Sequence, residues 1–264
     1  MELLLLAGGF SPPWRSLSRG AALRHASPHA GLLSNLFPPP PPNPADFYSP
    51  DLSAPLPGLP RSYEDVHAGA IDGVLRALQS GLSTCEVDFP PVSSVNARGD
   101  GSAKSEQLVA EANVAFARIL RDAIGEATIV GCSAESVRAL GSDALPSKQE
   151  GLQVEEQRVA ICIAPCTEEQ WERALSLKAK AIVIVNGLLQ NGLLEHAYYF
   201  KPMTAFSQMT GGVVRTFPGP YVCYNNKGEL MQLEVQLARQ GKRALPDTKS
   251  AQMLLQNSMG QSLT

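Results

Sequence analysis

The chain has 264 residues, with 22 Lys or Arg against 25 Asp or Glu and a net charge of −3 at pH 7. Nucleic-acid binding requires clustered basic side chains, and since the longest basic run is Lys242-Arg243, we expect no nucleic-acid partner. The five cysteines form no CxxC pair and no other spacing suited to zinc, which argues against a structural metal site.

The first sixty residues differ in composition from the rest of the chain. They hold 13 of the 21 prolines, arginines interleaved with serines, and no carboxylate between Glu2 and Asp46. Such a composition is typical of an organelle transit peptide, and because Ser and Pro outnumber Arg we favour a plastid over a mitochondrion. We predict a disordered transit peptide at residues 1–45 and a stiff proline-rich linker at 46–61; the alternative is a disordered N-terminal tail.

Residues 62–258 are predicted to form a single domain, followed by a tail at 259–264. The first half of this domain alternates helix and strand patterns. Ser62 and Asp65 have the spacing of a capping box at the start of a helix. The elements that follow are a strand at Thr84–Phe89, a helix at Ser105–Ile124, a strand at Ala127–Gly131 and a short helix capped by Ser133.

The helix at Ser105–Ile124 carries a regular apolar stripe. Helical spacing places Leu108, Ala112, Phe116, Ile119 and Ala123 on one face. A stripe of this kind normally faces the core of a domain.

The strongest pattern is a βαβ unit between Arg158 and Asn186. Val159–Ala164 is a continuous apolar run, as expected for a strand covered on both faces, and Ala181–Val185 is another. Between them Thr167 is an N-cap for a helix with two glutamates in its first turn. This unit should be parallel and right-handed.

Beyond Asn186 the pattern changes to short strands separated by turns. We predict strands at Tyr198–Met203, Val213–Phe217, Tyr221–Asn225 and Glu229–Leu237, with a hairpin turn at Asn225–Gly228. A last helix is predicted after Pro246-Asp247, with Met253 and Leu254 facing inward and Leu255 as a further candidate for that face. The predicted fold class is therefore α/β, a mixed sheet with a parallel βαβ part, an antiparallel meander and a C-terminal helix.

Aromatic side chains are concentrated in the predicted meander and are interleaved with two cations. Aromatic and Arg side chains are enriched at the energetic centres of protein interfaces. This predicts a partner-binding face; the simpler alternative is structural packing. Its members are Tyr199, Lys201, Arg215, Phe217 and Tyr221.

A second candidate site lies at the ends of the predicted parallel strands. Asp88, Asn186 and Gly187 end two such strands, and open α/β sheets bind ligands at that edge. No G-x-G-x-x-G follows the second strand and no G-x-x-x-x-G-K-[ST] occurs anywhere, so we predict no cofactor. Glu86 shares a strand face with Asp88; a solvated strand edge explains this pair more simply than a metal site does.

Three further side chains could carry chemistry. His67 and His196 are the histidines outside the leader, and the simplest interpretation of both is an ordinary surface histidine. Cys85, Cys162 and Cys223 lie in apolar runs and are expected to be buried. Cys166 lies just before a helix, and because a helix N-terminus lowers a thiol pKa a redox role is a hypothesis for it.

Four segments resemble a domain family of unknown function from plastids and cyanobacteria. They are Tyr63-Glu64-Asp65, Cys85–Pro91, Ile182–Asn186 and Phe217-Pro218-Gly219-Pro220-Tyr221. The family includes a chloroplast assembly factor named for low photosystem II accumulation, and the domain also occurs beside the kinase domain of a chloroplast adenylate kinase. The family often has Asn-Pro where this chain has Asn186-Gly187, and Trp where it has Tyr221.

The composition of the leader, the missing catalytic motifs and the family resemblance together predict a non-catalytic chloroplast protein. We expect it in the stroma or associated peripherally with thylakoids, with no integral membrane span. It would assist biogenesis of the photosynthetic apparatus, photosystem II in particular, by binding thylakoid or photosystem biogenesis proteins. The alternative is a stromal enzyme or a nucleotide- or metabolite-binding domain with its ligand at the strand ends.

Overall fold

A computed structural model describes residues 50–92, 103–141, 145–146, 154, 156–188, 194–205, 208–240 and 243–261. The predicted transit peptide at 1–45 lies outside the described residues, as do 46–49 of the linker and 262–264 of the tail. The helices are α1 (Tyr63–Gln79), α2 (Ala103–Ile124), α3 (Ala134–Leu140), α4 (Glu168–Leu175) and α5 (Thr248–Gln261). The strands are β1 (Thr84–Asp88), β2 (Ala127–Gly131), β3 (Leu145–Pro146), β4 (Val159–Ile163), β5 (Ala181–Val185), β6 (Glu195–Ala205), β7 (Gln208–Thr216), β8 (Val222–Asn225), β9 (Leu230–Gln232), β10 (Leu237–Gln240) and β11 (Arg243–Pro246).

Nine of these strands form one mixed sheet in the order β3-β2-β4-β5-β1-β6-β7-β8-β9. Every pair from β3 to β6 is parallel, and every pair from β6 to β9 is antiparallel. The strands β10 and β11 form a separate hairpin that the sequence patterns did not predict. The predicted fold class, α/β with a parallel βαβ part, a meander and a C-terminal helix, is confirmed.

The helix α1 begins and packs for reasons that are local in the sequence. The Ser62 hydroxyl accepts the Asp65 N–H while the Asp65 carboxylate accepts the Ser62 N–H, which completes the predicted capping box. Further along, a Cβ on Gly73 would lie 2.2 Å from the carbonyl oxygen of Ala197. Only glycine therefore allows α1 to lie this close to β6.

The two faces of the sheet are covered by different helices. On the first face, α1, α2 and α3 cover a core that includes Val87, Ile161 and Val183. On the second face, Trp171 of α4 packs over Cys162 of β4 and its neighbours, while Leu255 of α5 packs over the meander. The part of the second face between α4 and α5 belongs to β1 and β6, where the polar residues Glu86 and His196 are buried.

The inward face predicted for α2 is wrong, and the one predicted for α5 is wrong at Met253. In α2 the buried apolar side chains are Ala110, Val114, Phe116, Ala117 and Leu120, so of the predicted stripe only Phe116 is buried. Leu108 and Ile119 are 47% and 45% exposed. In α5 Met253 is exposed, whereas Leu255 is buried and Leu254 packs partly buried against the same core; Ala251 is the buried residue that was not predicted.

The membrane prediction concerns helices that could span a bilayer. Among the helices that the structure describes, none is both long and apolar enough to do so. This agrees with the expectation of no integral span for these residues.

Candidate functional site

The most unusual feature of the second sheet face is a set of polar side chains, buried except for the half-buried Glu195, which we call the polar centre. Its members are Glu86 on β1, Glu195 and His196 on β6, Arg215 on β7, and Tyr221 just before β8. Glu86 is 0% exposed, and His196 and Arg215 are each 1% exposed. Residues of these types are seldom buried so completely unless they are paired.

Strand register brings the first half of the polar centre together. Glu86 lies opposite His196 in the parallel pairing of β1 with β6, and the register shifts directly afterwards. The His196 Nδ1 atom is hydrogen-bonded to the Tyr221 hydroxyl. The rings of His196 and Tyr221 also meet edge to face at 5.8 Å, with Tyr199 packed against both.

Arg215 joins the second half. One of its terminal nitrogens donates to the carboxylate of Glu195, and its Nε donates to the carbonyl oxygen of Gly219 at 2.9 Å. Its guanidinium also lies 5.0 Å from the centroid of the Tyr221 ring. The cation is therefore held by an ion pair, a backbone carbonyl and an aromatic face at once.

The chemistry open to the polar centre is limited by these internal bonds. A histidine bonded to a tyrosine, with a glutamate on the next strand, has the groups needed to move a proton. However, the Tyr221 hydroxyl and the Arg215 guanidinium contact neighbouring protein groups. On the same strand as Glu86, burial together with the charges of Glu86 and Glu195 raises the pKa of Cys85 to about 12. The arrangement suits fixing β1, β6 and β7 relative to one another better than it suits turnover.

The predicted partner-binding residues do not form one exposed face. Tyr199, Arg215 and Tyr221 are buried. Phe217 is half-buried and packs against the core of the first face, and Lys201 alone of the five is exposed. A partner-binding role for these residues stays a prediction, but in this structure three of them make their contacts inside the protein.

The structure brings the predicted strand-end residues together. Asp88 ends β1, and Asn186 follows β5, the strand paired with β1. The Asn186 Oδ1 atom accepts the N–H of Phe89 at 2.8 Å, and its Nδ2 donates to Asn113 Oδ1 at 2.7 Å. Asn186 has a φ of 51°, in the left-handed region that asparagine tolerates.

The contacts of Asn186 and Gly187 leave little room for a ligand beside these two residues. Both polar ends of the Asn186 side chain are bonded within the protein, and the side chain is buried. A Cβ on Gly187 would lie 2.3 Å from the Trp171 ring, so α4 packs directly on the Gly187 backbone. Sequence reasoning missed Asn113; a polar residue amid the apolar side chains of α2 was the signal.

The histidine and carboxylate predictions need correction. His196 is not a surface residue, because β6 begins at Glu195 rather than at Tyr198 and places His196 beside the buried β1. Glu86 is not on a solvated edge, because β1 lies in the middle of the sheet. His67 is half-buried against Phe89 and Phe116, and burial lowers its pKa.

The cysteines behave mostly as predicted. Cys85, Cys162 and Cys223 are buried. The predicted direction for Cys166 is wrong: burial, helped by Glu135, Cys132 and Glu106, raises the pKa of its thiol to about 11. Its Sγ donates to the carbonyl oxygen of Ala164 at 3.0 Å, which favours the neutral thiol.

A groove of about 500 Å³ lies at the opposite edge of the sheet. It is lined by Leu75 and Leu82 at the end of α1, Ile124 at the end of α2, and Val159 and Lys180 at the starts of β4 and β5. Open α/β sheets bind ligands at the carboxyl ends of their strands, and this groove lies at the amino ends.

Within the described parts of the chain, no group of three or more His, Cys, Asp or Glu side chains could hold a metal ion. No family model, no curated protein and no solved structure matches the chain.

Proposed function

We propose that this chain is a non-catalytic chloroplast protein that assists the biogenesis or assembly of the photosynthetic apparatus, photosystem II in particular, by binding partner proteins. The observation that carries the proposal is the internal use of its buried polar groups. Asn186 bonds to Phe89 and Asn113, and Arg215 bonds to Glu195 and Gly219. A catalytic site instead holds its polar groups toward a substrate.

Two features of the sequence support the compartment and the process. The composition of residues 1–45 favours a plastid transit peptide. The resemblance of four segments to the plastid and cyanobacterial family supports photosystem assembly as the process. Because Asn186 and Arg215 are bonded inside the protein, we assign the function to the surface, in the stroma or peripherally on thylakoids.

A disruption strain tests this proposal. We expect reduced accumulation of photosystem II subunits and slower assembly after pulse labelling, rescued by the full chain. A chain without residues 1–45 is the matched control, because it keeps the domain and lacks the predicted transit peptide. Normal subunit levels and normal assembly kinetics in the disrupted strain would refute the proposal.

The chain that rescues the strain can also locate the binding surface. Lys201 is the exposed member of the predicted partner-binding set, so Lys201→Glu is the variant to compare with the wild type in pull-downs from isolated chloroplasts. We expect thylakoid or photosystem biogenesis proteins to bind the wild type and to be reduced with the variant. Equal recovery with both would remove Lys201 from the binding surface.

A nucleotide- or metabolite-binding role is the second candidate, because of the topology at the strand ends. The chain leaves β1 toward β2 on one side, and leaves β5 toward β6 on the other. Ligands of open α/β sheets bind in the crevice outside the carboxyl ends of the strands, here beside Asp88 and Asn186. Thermal unfolding with Mg-ATP, Mg-ADP or AMP is the test, since a ligand at 100 times its Kd adds about 2.7 kcal/mol of stability. An unchanged Tm with all three nucleotides would count against a nucleotide.

A further inference from the structure

The outer face of α2 carries an apolar row that no described element covers. The row consists of Leu108, Ala112, Ala115 and Ile119, and we call it the α2 stripe. Its spacing of four, three and four residues is the 3.5-residue period of two helices packed side by side. Leu108 and Ile119 are exposed large apolar side chains, and Ala115 between them is exposed too.

The α2 stripe is separate from the face of α2 that builds the core. Val114, Ala117 and Leu120 pack beneath the helix against the sheet. The helix is therefore apolar on two sides, and the second side has a small-residue centre between two large ends. Two such faces can approach closely at the alanines while their large ends interlock.

The charges beside the stripe select a second copy in an antiparallel orientation. Glu111 and Arg118 lie seven residues apart on the same side of the stripe. In an antiparallel pair Leu108 faces Ile119 of the partner subunit and Ala112 faces Ala115 of the partner subunit. Glu111 then lies next to Arg118 of the partner subunit, and two-fold symmetry produces the same pair twice.

The hydrogen bond that Glu111 already makes is compatible with this antiparallel pair. The Glu111 carboxylate accepts a hydrogen bond from Gln107 Nε2 at 2.8 Å, one turn back along the helix. A carboxylate has two oxygens and about four acceptor positions, so this bond leaves capacity for a guanidinium. In a parallel pair the two-fold axis runs along the helices and places Glu111 and Arg118 of the two copies on opposite sides of the stripe, so the two opposite charges would not meet.

We propose that two copies of this chain associate through the α2 stripe as an antiparallel, two-fold symmetric pair. The contact is a single helix face on each copy, which is smaller than the surface of about 800 Å² per partner typical of stable complexes. The pair is therefore expected to dissociate on dilution.

Sedimentation velocity of the full chain over a range of concentrations is the test. The wild type should shift from monomer toward dimer as concentration rises. Ala115→Glu places two like charges at the two-fold axis and should leave a monomer at every concentration. Unchanged circular dichroism and Tm of Ala115→Glu in dilute solution would show that the fold is intact, because position 115 is exposed.

Charge exchange tests the orientation. Glu111→Arg and Arg118→Glu, each alone, put like charges together at both symmetry-related pairs and should weaken the dimer about tenfold. Mixing the two variants should restore it, because the introduced arginine then faces the introduced glutamate while the second pair keeps its native charges. Glu106→Arg, with the same charge change on exposed α2 surface outside the stripe, should dimerise like the wild type.

Three results would overturn the proposal. The first is a wild type that stays monomeric up to the highest soluble concentration. The second is a dimer that survives Ala115→Glu, and the third is a dimer that is weakened by both single charge variants and not restored in their mixture.

Discussion

The polar centre and the α2 stripe depart from the usual distribution of side chains in opposite directions. The polar centre is charged and buried; the α2 stripe is apolar and exposed. A buried polar group and an exposed apolar row are the informative exceptions in a folded protein, because single exposed apolar residues are common. The first is explained by bonds inside the chain, whereas the second calls for something outside it.

The largest loss of stability is expected when one member of the polar centre is removed. Arg215→Met leaves Glu195 without its cation partly inside the protein, and we expect a loss of about 3–5 kcal/mol in the free energy of unfolding. Urea unfolding measures it. The double variant Glu195→Leu with Arg215→Met should recover most of this loss, because no uncompensated charge remains.

The matched control for that experiment is Lys201→Met. It removes one positive charge from the neighbouring strand, but at an exposed position, so it should change the free energy of unfolding by no more than about 0.5 kcal/mol. A loss as large as that of Arg215→Met would mean that net charge, not the buried pair, determines stability.

The next test compares two leucines on the same helix. Leu120 is fully buried, and Leu120→Ala should cost about 3 kcal/mol by leaving a cavity. Leu108→Ala should change the free energy of unfolding by no more than about 0.5 kcal/mol in dilute solution. Equal costs in urea unfolding would contradict the assignment of the α2 stripe to the outside of the domain.

A smaller effect is expected from the hydroxyl of Tyr221. Tyr221→Phe removes the partner of the His196 Nδ1 atom inside the protein, and should cost about 2 kcal/mol. Tyr224→Phe also removes a hydroxyl, one that donates to the carbonyl oxygen of Pro57 at 2.6 Å in a partly buried position. Its cost should be about 1 kcal/mol, and the reverse order in urea unfolding would argue against a buried network at Tyr221.

The smallest expected effect is the pH response of His67. Burial lowers its pKa in the folded chain, so below about pH 6.5 the unfolded chain binds the proton more readily. The stability present above that pH is therefore lost as the pH falls. His67→Gln should flatten the change in urea midpoint between pH 7.5 and 5.5; an identical pH response in both proteins would mean that other groups cause it.

The parallel half of the fold could be predicted because its signals are local. Val159–Ile163 and Ala181–Val185 are unbroken apolar runs, and Thr167 caps the helix between them. The amphipathic pattern of α2 predicts a helix, which is confirmed, and a core face, which is wrong. Both of its faces are apolar, and periodicity alone does not say which one meets the sheet.

The polar centre could not be predicted, because it depends on pairing between distant segments. His196 is buried since β6 pairs with β1, which lies more than a hundred residues earlier in the chain. No local pattern indicates that the chain passes over β1 after β5 to form β6. The predicted aromatic cluster was a real concentration of residues, but Tyr199 and Tyr221 pack inward against His196.

The central position of β1 also has a consequence for how the chain acquires its fold. Cys85 pairs with Val183 on one side and with Glu195 on the other, so both neighbours of β1 are synthesised roughly a hundred residues after it. Until β5 and β6 have emerged from the ribosome, β1 has two open edges, and unpaired strand edges invite aggregation. Folding of this sheet must therefore wait for most of the chain, and a protein shortened before β6 would keep its first strand without a lasting partner on one side.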